Sequence, residues 1–507
     1  MQTPVSVSLM HPASPARPAN AAHAAYRTLW RWHFYAALFV MPFLVILAVT
    51  GTLYCFQPQI EPLLYPHRLV VAPVNAPRLS EDELLARAAA AVPPGSRATT
   101  ATIEADPARS AEFVFRYPDG DKYSVYLNPY TGVVLGTLSV DRRFMQVDRM
   151  IHRKLLLGKP GELIMELAAC WTLVLIGTGV ALWWPRGAFT WRGVLWPRFD
   201  LGGRLFWKSL HAALGIWLAA GALAFVVTGL PWSGSWGKHF KSLATQVDLG
   251  SPPGVWGGTT LRSVIPGQDK HSGPPAGQGS AGASAHAGHG MGDMPGMAMG
   301  DSDMPGMVMD DLPLPQTAWA VGATHVPESP EGGSAAARPL SLNRVLAIAG
   351  AHGLTAGYDL ALPASPSGVY TVSYFPADPK RERVLHIDQY SGKVLGDIRY
   401  RDYGAVSKAV SYGTALHMGR YFGLANQLIC TLISLGLASI AVTGFVMWWK
   451  RRPPRALGAP ARLPTPATMR RWKIGLTTLG VIFPLMGGTM LAVWALDSVI
   501  ARFRMPS

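Results

Sequence analysis

Five long apolar runs limit what this chain can fold into more than any other feature of its sequence. A helix needs about 20 predominantly apolar residues to cross the hydrocarbon core of a bilayer, and each run is long enough. Tryptophans stand near the ends of the runs, where an indole ring lies between headgroups and hydrocarbon. The runs cover residues 30–57, 163–185, 205–232, 421–449 and 474–496. We therefore predict an α-helical integral membrane protein with five transmembrane helices.

The distribution of charge predicts the orientation of these helices. Only 15% of the residues are charged, against roughly 25% in a soluble protein. The net charge of +15 is concentrated in short loops: residues 450–473 carry eight basic residues and no acid, and residues 186–208 carry five basic residues against Asp200. Because cytoplasmic loops are enriched in Lys and Arg, the basic excess reflects topology. We expect no nucleic-acid partner.

The same rule assigns every other segment to one side of the membrane. The segments predicted to be cytoplasmic are 1–29, 186–204 and 450–473, and those predicted to be periplasmic are 58–162, 233–420 and 497–507. The expected location is the bacterial inner membrane. The chain would cross it several times, in contact with lipid, with its N-terminus in the cytoplasm.

The chain also repeats itself. A shift of 178 residues superimposes His33 on His211 and Thr50-Gly51 on Thr228-Gly229. A shift of 265 superimposes His152 on His417 and Thr178-Gly179 on Thr443-Gly444, and a shift of 260 lays "YLNPYTGVVLG" over "HIDQYSGKVLG". Each copy begins and ends on the cytoplasmic side, so the two form a tandem parallel repeat related by an axis along the membrane normal. The fifth run lies outside this repeat.

Each periplasmic region is predicted to hold a small α+β domain. In the first, "SEDELLARAAAAV" is a helix with Ser80 as its N-cap and Glu83 three residues on. The alternating segment that follows has turns at Asp119-Gly120 and Thr131-Gly132, as in β-hairpins. The second domain repeats this pattern and contains an insert, residues 250–338, whose Gly, Pro, Ser and Ala content predicts disorder. At roughly 70 residues each, the two small domains have limited hydrophobic cores and are expected to pack against one another or against the bilayer surface.

Four histidines at the ends of the runs are candidate cofactor ligands: His33, His152, His211 and His417. An ionisable residue at membrane depth is costly and suggests function, although a single histidine at a helix end is more often a side chain that reaches for the interface. Since about 20 residues at 1.5 Å each cross the core, His33 can pair only with His211, and His152 with His417. Two imidazoles from facing helices meet the need of a haem iron for axial ligands. We predict two haem b groups, one near each face.

The sequence points to no other catalytic cofactor. It contains no dinucleotide fingerprint after a strand, no P-loop, and no HExxH or Ser-His-Asp spacing, so the electron donor is expected to be a quinol or a cytoplasmic reductase. The cysteines, Cys55, Cys170 and Cys430, lie in the apolar runs and are expected to act as small hydrophobes. The pattern identifies no residue that acts on the substrate.

A Met- and His-rich stretch within the insert, "HAGHGMGDMPGMAMGDSDMPGMVMD", is a candidate copper site. In a water-exposed loop these thioethers have no core to fill, and soft sulfur with imidazole selects Cu(I). The alternatives are a low-complexity linker or a sink for oxidants. The predicted metal ligands are His286, His289, Met291, Met294, Met297, Met299, Met304, Met307 and Met309.

The chain resembles the PepSY-associated transmembrane proteins, which include inner-membrane siderophore reductases. The resemblance rests on the signatures Tyr130–Gly136 and Tyr390–Gly396, the four histidines, the Thr-Gly pairs and the segments "WWPR" and "WWKR". It implies PepSY-like periplasmic domains and a two-haem reductase that delivers electrons from the inner side to a ferric siderophore or another oxidised metal outside.

Three functions compete at this point. The first is a haem-dependent inner-membrane reductase of a periplasmic metal, either ferric siderophore by resemblance or Cu(II) by the Met- and His-rich stretch. The second is a non-enzymatic PepSY membrane protein that binds a periplasmic partner and buffers copper. The third is a transporter, which parallel repeats suggest and the expected lack of broken helices or buried carboxylates in the spans disfavours. We predict the first.

Overall fold

The computed structural model describes residues 18–185, 190–252, 307–329, 338–460 and 469–503. Its helices are α1 (Pro18–Cys55), α2 (Gln57–Leu64), α3 (Pro66–Leu69), α4 (Glu81–Ala90), α5 (Phe144–Lys154), α6 (Lys159–Trp183), α7 (Trp191–Leu195), α8 (Gly203–Gly229), α9 (Trp236–Gln246), α10 (Leu342–Ala351), α11 (Ala405–His417), α12 (Leu424–Arg451), α13 (Arg470–Ile482) and α14 (Pro484–Phe503). Its strands are β1 (Arg97–Ile103), β2 (Ala111–Arg116), β3 (Lys122–Leu127), β4 (Val134–Ser139), β5 (Tyr358–Ala361), β6 (Val369–Tyr374), β7 (Arg383–Asp388) and β8 (Val394–Arg399).

Within these residues, four helices are long and apolar enough to cross a membrane: α1, α6, α8 and α12. They pack as a closed ring in which α1 contacts α6, α6 contacts α8, α8 contacts α12 and α12 contacts α1. Large apolar side chains remain exposed on these helices, among them Leu38, Val49, Trp217, Leu223, Leu432 and Val442. Exposed apolar surface on this scale is expected where lipid rather than water surrounds a bundle.

The two α+β regions form a single sheet rather than two separate ones. The eight strands have the order β4-β3-β2-β1-β5-β6-β7-β8, and every neighbouring pair is antiparallel. Strand β1 of the first repeat pairs with β5 of the second, with Thr102 opposite Asp359 and Ile103 opposite Tyr358. Since an unpaired edge exposes backbone hydrogen-bonding groups, this junction removes one such edge from each half. The predicted contact between the two domains is thus a continuous strand ladder.

The main hydrophobic core contains buried side chains from both halves of the sheet and from helices α4 and α10. Ser80 caps α4 as predicted, its hydroxyl accepting the Glu83 N–H at 3.2 Å. The carboxylate of Asp82, in the first turn of α4, accepts the N–H groups of Leu342 at 2.6 Å and Asn343 at 3.2 Å. These two groups begin α10, so one repeat supplies hydrogen-bond acceptors that the helix start of the other needs.

Part of the predicted disordered insert is folded. In residues 307–329, Met309 and Val321 are fully buried against Val384 and Ile398 of the second half of the sheet. Trp319 is also buried, and its indole N–H donates to the Pro231 carbonyl at 2.9 Å. The low average hydrophobicity of residues 250–338 hides this short apolar segment, which is why the prediction of disorder was wrong here. Residues 253–306 and 330–337 of the insert lie outside the described residues.

The predicted fifth transmembrane helix is not one straight helix. It is divided into α13 and α14 at Phe483, whose backbone is non-helical with φ −115° and ψ 85°. Pro484 begins α14 and explains the break, because proline disfavours the helical conformation in the residue before it. A Cβ atom placed on Gly480 would lie 3.2 Å from Gly487 Cα, so the chain bends sharply here. The bend removes the reason for placing residues 497–507 on the periplasmic side.

Glu166, an acid inside the second apolar run, is buried in α6 with its hydrogen bonds satisfied. Its carboxylate accepts the backbone N–H of Ser235 at 2.9 Å and that of Trp236 at 3.2 Å. These groups open α9, and a carboxylate at the start of a helix complements the helix dipole. Glu166 therefore acts as a structural cap. The expectation that the spans contain neither a buried carboxylate nor a broken helix is wrong, because Glu166 is buried in α6 and the fifth span breaks at Phe483.

Candidate functional site

Two short helices bring a histidine from each repeat onto the end of the bundle nearest the sheet. Strand β4 leads into α5, which carries His152 in its last turn, and strand β8 leads through a short turn into α11, which ends at His417. The chain then reverses into a bundle helix at Gly158 in one repeat and at Gly423 in the other, with φ of 64° and 56°. Only glycine adopts such angles readily, so the repeated glycine sets the approach of each histidine.

The four candidate histidines form two pairs in space. The imidazoles of His33 and His211 have ring centroids 6.4 Å apart and planes inclined at 84°. Those of His152 and His417 have centroids 6.5 Å apart and planes inclined at 82°. We call the first the loop-side pair and the second the sheet-side pair. The pairing expected from the sequence is the pairing in the structure.

Each imidazole is hydrogen-bonded to a threonine on a neighbouring helix. In every case Nδ1 faces the threonine Oγ1 of a Thr-Gly dipeptide from the sequence repeat. The four distances are 3.0 Å for His33 to Thr178, 2.9 Å for His211 to Thr443, 2.9 Å for His152 to Thr50 and 2.9 Å for His417 to Thr228. The sequence shows that these threonines repeat, but it does not reveal that they orient the histidines.

The threonine hydroxyls also determine which ring nitrogen carries the proton. Each hydroxyl donates its single hydrogen to a carbonyl of its own helix, as Thr178 does to Val174 at 2.6 Å and Thr50 to Ile46 at 2.7 Å. The hydroxyls of Thr228 and Thr443 do the same. The oxygen can then only accept from the imidazole, so Nδ1 is protonated and Nε2 keeps its lone pair. This is the arrangement that a metal-binding imidazole requires.

The glycine of each Thr-Gly dipeptide makes room for the ring. A Cβ atom on Gly179 or Gly51 would lie 3.3 Å from the Cε1 atom of His33 or His152. At Gly444 and Gly229 the corresponding distances to His211 and His417 are 3.4 and 3.5 Å. A Cβ atom would therefore press on the ring at Gly51 and Gly179, whereas at Gly444 and Gly229 it would only reach ordinary van der Waals contact. The Thr-Gly dipeptide thus gives each histidine both an acceptor and space.

The two pairs lie near opposite ends of the bundle. On α1, His33 belongs to the loop-side pair and Thr50 holds the sheet-side pair; on α8, His211 and Thr228 have the same relation. Seventeen residues separate the two positions in both helices, which corresponds to about 25 Å at 1.5 Å per residue. The pairs are therefore separated by most of the thickness of a bilayer core.

The two imidazoles of each pair are close enough that both could bind one haem iron. A nitrogen–metal bond of about 2.0 Å on each side places two ring centroids roughly 6 Å apart, in agreement with the observed values. All four histidines are half-buried, so each keeps some accessible surface. Among the described residues no group of three or more His, Cys, Asp or Glu could hold a metal ion. A porphyrin supplies four nitrogens itself, so two histidines are sufficient.

Most of the predicted copper ligands cannot be placed. His286, His289, Met291, Met294, Met297, Met299 and Met304 lie outside the described residues. Met307 is half-exposed, whereas Met309 is fully buried in the cluster against the sheet. In this arrangement the Met309 thioether is a packing group. Copper binding by the stretch stays a prediction.

Fold and site together define a multi-pass membrane protein built from two repeats around two histidine pairs. The chain belongs to the family described as PepSY-associated TM region, whose model matches residues 30–451. The resemblance drawn from the sequence is therefore confirmed. No curated protein matches the chain.

Proposed function

We propose that this protein is a haem-dependent reductase of the bacterial inner membrane that passes electrons across the bilayer to an oxidised metal in the periplasm. The metal would be a ferric siderophore or Cu(II). The observation that carries the proposal is the matched geometry of the two histidine pairs, at 6.4 and 6.5 Å, with threonines that leave every Nε2 free to bind a metal. The threonine contact alone does not identify a ligand, because the structural His386 has one to Thr371 at 3.0 Å; the pairing of two such imidazoles at each end of the bundle supports the proposal.

Each residue of the site has a defined role in this proposal. Haem b bound at both pairs would supply a one-electron centre near each face of the membrane. His33 and His211 would hold the first, and His152 and His417 the second. The threonines keep each ring in the required tautomer and orientation, and the apolar helices exclude water. The orientation proposed from the basic loops puts the sheet, and with it the site of metal reduction, in the periplasm. A quinol or a cytoplasmic reductase would supply the electrons.

The test is the absorption spectrum of the purified protein, reduced minus oxidised. We expect a b-type haem spectrum with two haems per chain. Single replacements of His33, His152, His211 and His417 by Ala should each lower the haem content. His239→Ala is the matched control, because His239 is an exposed residue of α9 and belongs to neither pair. A colourless protein, or four variants with unchanged haem content, would contradict the proposal and favour a non-enzymatic binding protein.

The copper part of the proposal is tested by deleting only residues 253–306. The deletion spares residues 307–329, which pack against the sheet. We expect the haem spectrum to stay and most Cu(I) binding to disappear, because the deletion removes most of the predicted thioether ligands. Unchanged copper binding would rule out the Met- and His-rich stretch as the main copper-binding segment.

A further inference from the structure

Three arginines lie beside the sheet-side pair. Arg149 and Arg153 are one turn apart on α5, and Arg420 follows the last residue of α11 by three positions. These two short helices carry the histidines of the pair. Residues 149–161 contain four basic residues and no acid. Because segments predicted to be periplasmic are not expected to collect positive charge next to a membrane span, these arginines need a local reason.

Arg420 is linked to the sheet-side end of α1. Its guanidinium donates to the Gln316 side-chain oxygen at 2.8 Å, and the Gln316 amide donates to the Tyr54 hydroxyl at 2.8 Å. Tyr54 lies one helical turn beyond Thr50, in the direction of the sheet, and Thr50 is the threonine that accepts from His152. Arg420 therefore lies on the sheet side of the threonine that orients one imidazole of the pair.

Arg153 has the corresponding place at α8. Its guanidinium donates to the Trp232 carbonyl at 3.4 Å. Trp232 lies four residues beyond Thr228, the threonine that accepts from His417. Helices α1 and α8 are diagonal to each other in the ring of four spanning helices, so the two guanidinium groups lie on opposite sides of the pair and both toward the sheet. Arg153 is exposed and Arg420 is half-buried, so both can contact a ligand.

The three guanidinium groups bind only neutral oxygens. Arg149 donates to the Pro315 carbonyl at 3.2 Å, and the other two have the neutral acceptors described above. Within the described ranges none of the three forms an ion pair, whereas Arg143, just before α5, pairs with Glu112 at 2.9 Å. A guanidinium has five N–H donors and binds a carboxylate through two of them at once. The arginines therefore offer positive charge and hydrogen-bond donors to carboxylates that no described residue supplies.

We propose that Arg153 and Arg420 bind the two propionate carboxylates of the haem at the sheet-side pair, and that Arg149 adds positive charge beside Arg153. This inference deepens the proposed function and rests on it for the presence of the haem. A haem carries both carboxylates on one edge, and an ionised carboxylate is costly in hydrocarbon. The arginines hold that edge on the sheet side of the pair and so determine the orientation of the porphyrin between the imidazoles.

A redox titration of the full-length, haem-loaded protein tests this assignment. Positive charge beside a haem stabilises the form that has gained an electron, so Arg153→Gln and Arg420→Gln should each lower the midpoint potential of one haem and leave the other unchanged. The affected haem is the one that His152→Ala removes. Arg420→Lys keeps the charge and should lower the potential less than Arg420→Gln. Arg142→Gln is the matched control, because Arg142 is an exposed residue just before α5, and it should change neither potential.

A second measurement leaves the three arginines in place. The His33→Ala variant, in which the loop-side pair is incomplete, is produced without haem and titrated with haem and with haem dimethyl ester, whose propionates carry no charge. We expect haem to bind roughly 10-fold or more tightly than the ester, because a hydrogen bond to a charged group contributes at least that factor. Arg153→Gln in the same background should reduce the difference. Neither titration contains a metal chelate, so carboxylates of a substrate cannot produce these results.

The outcomes separate this inference from the proposed function. Unchanged potentials in both glutamine variants at full haem content, or equal affinity for haem and its ester, would overturn the role of the arginines alone. Loss of haem from Arg420→Gln with retention in Arg420→Lys would support it, because lysine keeps the cation. A wild-type protein that binds no haem would contradict the proposed function as well.

Discussion

At the scale of single residues, the threonines distinguish this site from four unrelated histidines. A hydroxyl that already donates to its own helix can only accept from the imidazole, so it fixes Nε2 as the ring nitrogen that keeps its lone pair. The same logic holds at all four positions, at distances of 2.9 to 3.0 Å. The threonines are thus as much part of the candidate site as the histidines.

Thr178→Val should weaken haem binding at the loop-side pair by roughly 10- to 100-fold, as loss of an outer-shell partner does at metal sites. The variant keeps the shape of the side chain and loses only the acceptor for His33. Thr172→Val is the control, since Thr172 is a buried threonine of the same helix that donates to the Ala168 carbonyl and has no histidine partner. Haem titration of both purified variants makes the comparison. Equal affinities would show that the hydroxyl does not orient the ligand.

A second residue-scale prediction concerns His386, which is buried in β7. Burial lowers the pKa of His386 to about 4, from an ordinary value of about 6.5. Between these values the unfolded chain binds a proton that the folded chain does not, so stability falls as the pH falls. From about pH 7 to pH 5 the wild type should lose about 2 kcal/mol more unfolding free energy than His386→Gln.

Chemical denaturation of both proteins at the two pH values measures this difference. The comparison between proteins is needed because burial raises the pKa of Glu382 to about 7, which acts in the opposite sense over part of the range. Glu382 is present in both proteins, so its effect cancels. If wild type and variant lose the same unfolding free energy, the pKa of His386 does not differ between the folded and the unfolded chain.

At the scale of elements, the sequence predicts what repeats and misses what depends on contacts between distant segments. The histidine pairs follow from matched positions in two copies, and the Ser80 cap follows from a local motif. Strands β1 and β5 are equivalent under the shift of 260 residues, but a match between two copies does not show that the matched strands pair with each other. The break at Phe483 could have been expected from Pro484, which the hydropathy of the run outweighed.

The cap that joins α4 to α10 gives a prediction at this scale. Asp82→Ala should destabilise the start of α10 by about 1 kcal/mol, because two N–H groups lose their carboxylate acceptor. Hydrogen exchange at Leu342 and Asn343 reports this locally. Glu83→Ala is the control, since the Glu83 side chain lies on the surface and pairs with Arg87. Similar protection in the two variants would mean that the start of α10 finds other acceptors.

At the scale of the whole molecule, the two repeats are joined to each other both in the helix bundle and in the sheet. In the ring of four spanning helices, contacts within a repeat alternate with contacts between the repeats. The sheet joins the repeats again through β1 and β5. The two histidine pairs each take one residue from either copy. Neither repeat alone could therefore provide a complete site.

A disulfide across the junction of the sheet tests whether the repeats move relative to each other. Thr102 and Asp359 are direct neighbours on β1 and β5, and residues opposite each other in antiparallel strands have Cβ atoms about 5 Å apart. The double variant Thr102→Cys with Asp359→Cys, once oxidised, should keep the haem content and the metal-reduction rate of its reduced form. A rate that falls on oxidation and recovers on reduction would show that relative motion is part of the activity.

The strand ladder between β1 and β5 also has a mechanical consequence. Alternating access requires one half of a duplicated protein to rotate against the other. Here such a rotation would break the backbone hydrogen bonds between β1 and β5. A protein whose two halves are joined by strand pairing can stay rigid during electron transfer, which requires no relative motion of the halves. Passage of a bulky solute by alternating access does require that motion.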